Sequence, residues 1–356
     1  MANISADLFR DIVEPLADRF EPALCDEYVR VFAPVIEAAC PDLRGLADRY
    51  QRIRRARPIA QKPKRVFVLS RVTIGADVAI TSVILDAARK RWPASEIVFV
   101  GPAKNYELFA ADPRIAHRPV RYPRAGTLEQ RLAVRESLRF GDPGSIVIDP
   151  DSRLTQLGLI PVCPDGRYFF FESRSYGGDS ADSLVALTKR WAADIIGVDA
   201  RAYIATPPAP EETGVTVSLG VGENPAKRLP DPFEADLLRL LTSRYASVLV
   251  DSGGGGEEAE RVRAAVAASG NRARIFTGSF AEFAAHIANS RLYVGYDSAG
   301  GHVAAACGTP LVSIFAGFPT ERMLQRWRPD GPGSTHLLRA DFATPAGILA
   351  AIADFL

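Results

Sequence analysis

The rhythm of apolar and polar positions changes twice along the chain. Near the N-terminus Leu8, Ile12, Leu16 and Phe20 recur at helical spacing. Pro15, Pro22, Pro34 and Pro41 punctuate that pattern, so residues 1 to about 60 predict short helices. From residue 65 short, wholly apolar runs alternate with longer mixed ones. "RVFVLS" (65–70), "EIVFVG" (96–101) and "SIVID" (145–149) predict buried strands, with a helix through "VAITSVILDAARKRW" after the first. After "SLVALTKRWAADIIG", a helix, the Pro-rich residues 207–210 read as a linker. A second alternating set then begins: "VTVSLG" (215–220), "ASVLVD" (246–251), "ARIFTG" (273–278), "RLYVG" (291–295) and "PLVSIF" (310–315). Strand, loop, helix and strand in this order predict parallel sheets with crossover helices. The expected fold class is therefore α/β, with two doubly wound domains behind an N-terminal helical extension. Their predicted limits are 1–62 for the extension and a basic linker, 63–206 for the first domain and 207–356 for the second.

The 356 residues suffice for two cores, and 47% hydrophobic with 24% charged residues is a soluble, globular profile. A net charge of +1 supplies no global field for nucleic acid, so none is expected as a partner. No apolar run approaches the ~18 residues that span a bilayer. "MANISADLFRDIVEPLADRF" lacks the basic start and apolar centre of a signal peptide. The four cysteines are scattered without a CxxC pair and read as reduced thiols, so a cytoplasmic protein is expected. Four histidines without HExxH give no reason to expect a metal or another cofactor. Charge is uneven in one place: "QRIRRARPIAQKPKR" (51–65) carries seven basic residues and no acid. It reads either as a solvated linker or as a patch for an anionic acceptor or a peripheral contact with an anionic membrane surface.

Two stretches of the second domain carry anion chemistry. In "VSLGVGENPAKRLP" (217–230) a strand ends in glycines Gly220 and Gly222, passes Glu223 and Asn224, and reaches Lys227 and Arg228 before a helix starting near Asp231. Glycines admit a close ligand approach, and two cations beside a helix start suit a diphosphate. "YDSAGGHVAAACGTPLVSIF" (296–315) places Asp297, Ser298, Ala299, Gly300 and Gly301 between a strand and a small-residue helix. The amides and Ser298 can meet phosphate oxygens, and Asp297 can accept from sugar hydroxyls. His302 either donates to the ligand or packs beneath the loop. A hydrolase elbow is excluded because Gly-x-Ser-x-Gly is off by one position on its N-terminal side.

In the first domain "SRVTIGADVAITS" (70–82) holds Gly75 and, at a helix start, Asp77, which reads either as a cap or as a general base. "IVIDPDS" (146–152) offers Asp149 and Asp151 in the Asp-x-Asp spacing used by some sugar transferases for a metal, with Arg153 following. "DSGGGGEEAE" (251–260) lacks the dinucleotide and Walker spacings and reads as a flexible turn whose carboxylates repel phosphate.

"GVGENPAKRLP", "IANSRLYVGYDSAGGHVAAACGTPLVSIF", "RWRP" (326–329) and "IGADVAITSVILDAARKRWP" together resemble glycosyltransferase family 9, the lipopolysaccharide heptosyltransferases. The resemblance spans about residues 64–356 and is strongest over 215–330. It implies a GT-B fold of two Rossmann-like domains facing a cleft, the first on the acceptor side and the second binding a nucleoside-diphosphate sugar, typically ADP-heptose. It also implies inverting, metal-independent transfer to a glycan or glycolipid hydroxyl. On it Lys227 neutralises the diphosphate, Asp297, Ser298, Gly300 and Gly301 hold the donor, and Asp77 is the candidate catalytic base. Gly222, Glu223, Asn224, Arg228, Ala299 and His302 complete the expected donor site on the reading of the residues themselves. Gly75, Asp149, Asp151 and Arg153 stand on the acceptor side, and the Asp149–Asp151 pair is demoted as a metal site. The family's Gly-Asp-Val reads here Gly75-Ala76-Asp77-Val78, one residue longer. The first ~60 residues and the aromatic, basic stretch 151–179 lie outside the resemblance. The latter reads as a core strand or as the wall of an acceptor pocket. A catalytically silent sugar-nucleotide binder and an epimerase or hydrolase acting on the donor alone are the rival functions.

Overall fold

The computed structural model describes residues 9–209, 211–222 and 224–356, with only the backbone of Arg10 and Asp11. The chain divides into two compact units, Met1–Ala202 and Tyr203–Leu356.

The first unit is built on five parallel strands: β1 (Arg65–Leu69), β2 (Glu96–Gly101), β3 (Ile115–Pro119), β4 (Ser145–Asp149) and β5 (Tyr168–Phe170), in the order β3-β2-β1-β4-β5. β1 is central, with Val66 opposite Ile97 on one side and Ile146 on the other. Its residues Val66, Phe67, Val68 and Leu69 are all buried, as a strand covered on both faces requires. The order reverses between β1 and β4, which opens a crevice at the carboxyl ends of these two strands.

The N-terminal helices belong to this unit's core. Pro22–Ala39, which starts with its proline in the first turn, buries Cys25, Tyr28, Val29, Phe32, Ala33 and Ile36 on one face. Leu46–Ile53 buries Leu46, Tyr50 and Ile53. Apart from Cys25, these side chains join one cluster with Phe67, Leu69, Val147 and Phe170 of the sheet. The aromatic stretch after residue 151 is core as well: it forms β5, pairing Val147 with Tyr168, and buries Phe171 with its ring 5.2 Å from that of Trp191. Much of the basic stretch 51–65 is bound back to the same unit. Arg54 pairs with Glu172 and Asp26, Arg52 with Asp165 and Arg65 with Glu96. The Arg57 guanidinium lies 4.8 Å from the Phe169 ring centre. Among the described residues no helix is long and apolar enough to cross a membrane.

The second unit holds six parallel strands: β6 (Thr213–Ser218), β7 (Val248–Asp251), β8 (Arg274–Phe276), β9 (Ser290–Tyr296), β10 (Leu311–Phe315) and β11 (Thr335–Arg339). Their order is β11-β10-β9-β6-β7-β8, so the reversal falls between β6 and β9. Helices Phe233–Arg244, Gly256–Ala268, Phe280–Ala288, Ala299–Cys307 and Pro345–Phe355 connect or cover the strands. Leu237, Leu241, Val262 and Ile352 pack on Val215, Val217, Val250, Val294 and Ile314. The helix at Phe280 is set by a capping box between Ser279 and Glu282.

Candidate functional site

In the second unit, the loops that follow β6 and β9 meet at the strand-order reversal. After β6 the chain turns at Gly222, whose φ of +60° lies in the left-handed region that glycine adopts freely. The Asn224 side chain then accepts from Ala226 N at 3.1 Å and starts a short 3₁₀ turn, Pro225–Lys227. That turn directs Lys227 to the β9 loop, where its Nζ donates to Asp297 Oδ2 at 2.6 Å and to the Asp297 carbonyl at 3.2 Å. Asp297 is fixed in turn by its N–H, which donates to the Ile314 carbonyl at 3.0 Å.

Beyond Asp297, Ser298 is the extended residue before helix Ala299–Cys307 and makes no side-chain cap. The first-turn amides of this helix thus have no capping oxygen, and residues 297–299 are half-buried. Free amides at a helix start favour an anion. The Ser298 hydroxyl lies 3.4 Å from Tyr293 Oη. Gly300 is required by packing: a methyl group there would stand 2.3 Å from Tyr293 Oη. One on Gly301 would stand 3.3 Å from Pro329 Cγ. His302 is buried with its ring edge-on to Trp327, and its Nδ1 has no hydrogen-bond partner. Burial lowers its pKa to about 4, so the ring is neutral at pH 7 and supplies no charge to a phosphate.

Other expected donor residues stand differently. Glu223 lies outside the described residues. Arg228 faces its own helix start, with Nε donating to Glu234 Oε1 at 3.2 Å and Nη2 paired with Asp231. The glycine-rich segment 252–256 opens helix Gly256–Ala268, and Glu258 in its first turn reaches back to both neighbouring strand ends. A methyl group on Gly253 would come within 2.3 Å of Glu258 Oε1, and one on Gly220 within 2.6 Å. Glycines beyond both β6 and β7 thus leave room for one carboxylate between the strand ends.

The first unit has the same topology at its reversal and a different chemistry. Gly75 lies in the short turn Ile74–Ala76, and Asp77 opens a π-helical turn, Asp77–Thr81. A π turn holds one residue more than an α turn. The Asp77 carboxylate has no exposed surface. Oδ1 accepts from Arg71 N and Thr81 Oγ1, and Oδ2 from Ser70 Oγ and Asn105 Nδ2, each at 2.6 Å. Burial raises its pKa, against these four hydrogen bonds. A carboxylate offers about four lone-pair directions, and here all are taken.

Asp149 and Asp151 are also fully buried, and they face different partners. Asp149 accepts from Ser152 N, Thr155 Oγ1 and Tyr168 Oη, and burial pushes its pKa up to about 6. Asp151, at φ +67°, accepts from Arg174 Nε at 2.7 Å, with Arg71 Nη1 at 3.4 Å. The Arg174 guanidinium lies 5.0 Å from the Tyr28 ring centre and donates to Tyr50 Oη, both on N-terminal helices. Arg153 is turned toward the N-terminal segment.

Two parallel, doubly wound units, one with an anion-ready loop pair at its switch point, define the GT-B class of glycosyltransferase folds. Residues 206–339 match the model of glycosyltransferase family 9 (heptosyltransferase). The structure is similar to that of Escherichia coli heptosyltransferase WaaC with ADP, at a TM-score of 0.58 and 16% identity over 82% of this chain and 98% of that one. It is similar also to a family 9 glycosyltransferase from Veillonella parvula, at 0.60 and 15% identity over 79% and 87%. E. coli ADP-heptose lipopolysaccharide heptosyltransferase II gives 0.55 and 18% identity over 82% and 98%. No curated protein sequence matches the chain. The family's match lies within the second unit, and the fold of the chain is that of these heptosyltransferase structures.

Proposed function

We propose that this glycosyltransferase moves a heptose-like sugar from a nucleoside-diphosphate donor, an ADP-sugar, to a hydroxyl of a glycan or glycolipid. The observation that carries this reading is the Lys227–Asp297 pair beside the uncapped start of helix Ala299–Cys307. An arriving diphosphate exchanges a salt bridge for its own contact with the Lys227 ammonium, and its remaining oxygens meet the amides of 299–301. Asp297, released from Lys227, is then free to accept from a hydroxyl of the donor. Glu258, between the ends of β6 and β7, is the second carboxylate suited to a ribose diol. The solved WaaC structures hold ADP and ADP-2-deoxy-2-fluoro heptose, which favours an adenine nucleotide here too.

In the reaction the acceptor oxygen forms a bond to the anomeric carbon as the bond to the diphosphate breaks, with inversion. The acceptor proton passes to a base and the leaving charge to Lys227 and the loop amides. That stabilisation is electrostatic and strongest when charge develops, which is where it lowers the barrier. Asp77 enters as the residue that holds the β1 loop in shape. Acting as the base requires this loop to open and release one of its four donors. The test is release of ADP from ADP-heptose with and without a panel of heptose- and keto-sugar-bearing glycolipids. Acceptor-dependent release supports transfer. Release without any acceptor would replace it by donor hydrolysis or epimerisation, and binding without release by a silent binding module.

A further inference from the structure

Arg153 stands on the first turn after β4, at the strand-order reversal of the first unit, and the chain's own N-terminal segment fills its fork. Its Nη1 lies 3.3 Å from Glu14 Oε1, and its Nη2 lies 3.1 Å from each oxygen of Asp18. Glu14 and Asp18 are four residues apart in the helical turn Glu14–Asp18, so both carboxylates project from one face. A second guanidinium shares the contact: Arg131 Nη1 is 3.7 Å from Glu14 Oε1 and 3.3 Å from Tyr122 Oη. The Phe9 ring covers Arg131, its centre 3.6 Å from Cζ.

The two sides of this contact are built differently. The side chains of Arg131 and Arg153 are 3% and 16% exposed, whereas those of Glu14 and Asp18 are 39% and 50% exposed. The cations thus belong to the packed body of the unit, and the anions to a short helix facing solvent. That helix follows a π-helical turn, Phe9–Val13, and is joined to the next helix through Phe20 at φ +59°. Phe9, Val13 and Ala17 are its buried apolar anchors. Short peripheral segments of this kind open at a lower free energy than a domain core. An arginine fork matches two oxygens of one phosphate or carboxylate, and here it is served by two separate side chains. The carboxyl end of a parallel strand at a reversal is also where such sheets receive ligands.

We propose that the N-terminal helix is a displaceable latch, whose Glu14 and Asp18 occupy a seat at Arg153 and Arg131 for a phosphate or carboxylate group. Only a ligand bearing such an anion replaces both carboxylates and frees the segment. That this ligand is the sugar acceptor rests on the transferase reading above; the latch and its seat rest on the first unit alone.

The test uses the full chain and inorganic phosphate, with sodium chloride at matched ionic strength as the control. Amide hydrogen exchange over residues 9–20 is expected to quicken in phosphate beyond its rate in chloride. In E14Q/D18N the segment exchanges fast in both salts, and phosphate binds about tenfold more tightly than to the unaltered protein. Adding R153Q to that double variant removes the phosphate response, and R153K, which keeps the charge and loses the fork, restores only part of it. Equal exchange of the unaltered protein in phosphate and chloride would overturn the proposal, as would an unchanged phosphate affinity of E14Q/D18N. ADP titrated into the same samples reports on the second unit. Loss of ADP binding with an intact latch response would sink the transferase reading and leave the latch standing.

Discussion

Each unit carries an aspartate just beyond a strand at its order reversal, and the two are treated in opposite ways. Asp77 is sealed from solvent and holds four neutral donors, with no cation among them. Asp297 keeps 14% of its side chain exposed and faces one cation, Lys227, at 2.6 Å. A carboxylate whose lone pairs are all spent fixes the shape of a loop. One held by a single ion pair that solvent still reaches can trade that partner for a ligand that brings its own charge. Shared topology therefore marks where ligands can come, and the partner list of each carboxylate separates scaffold from contact.

Removing the sealed carboxylate should have the largest effect. Asp77→Ala leaves four donors unsatisfied in the interior and is expected to cost about 3–5 kcal/mol in urea unfolding. ADP affinity should stay within twofold. A loss below about 1 kcal/mol would break the distinction drawn between the two sites.

Asp149 extends the comparison to pH. Its folded pKa of about 6 lies above the unfolded 3.8, so between these values the native state binds more protons than the unfolded one. Its contribution is therefore fully present below pH 4 and is lost as pH rises through 6. Asp149→Asn, which carries no charge, should gain on the unaltered protein by about 3 kcal/mol across that window. A stability difference that is flat with pH would show that the carboxylate is ionised throughout.

A smaller effect tests the floor of the second site. Gly300→Ala presses a methyl group on buried Tyr293 and should cost about 1–3 kcal/mol by thermal unfolding. Unchanged stability would mean that Tyr293 moves aside, and that the glycine serves ligand approach alone.

Strands were legible because a parallel sheet covered on both faces needs unbroken apolar runs, and "RVFVL" and "LVSIF" are such runs. Lys227 and Asp297 were legible as chemistry at strand ends, though their meeting across 70 residues needed the β6–β9 adjacency. Periodicity around Tyr28 and Phe32 announced a buried helix face without saying what it covers, which is the first unit's own sheet. The closure of Asp77 was out of reach, since one of its donors, Asn105, lies 28 residues away in the short helix Ala103–Tyr106. The position of Glu258 was not legible from charge, since the room left by Gly220 and Gly253 decides it.

The central claim, that the β6 and β9 loops bind a nucleoside diphosphate through Lys227, is tested most directly by calorimetric titration with ADP. The unaltered protein should bind, and Lys227→Ala should bind about 10–100-fold more weakly while unfolding at the same temperature, because Asp297 then faces the diphosphate without its cation. Equal affinity in both proteins, or no binding in either, would contradict it.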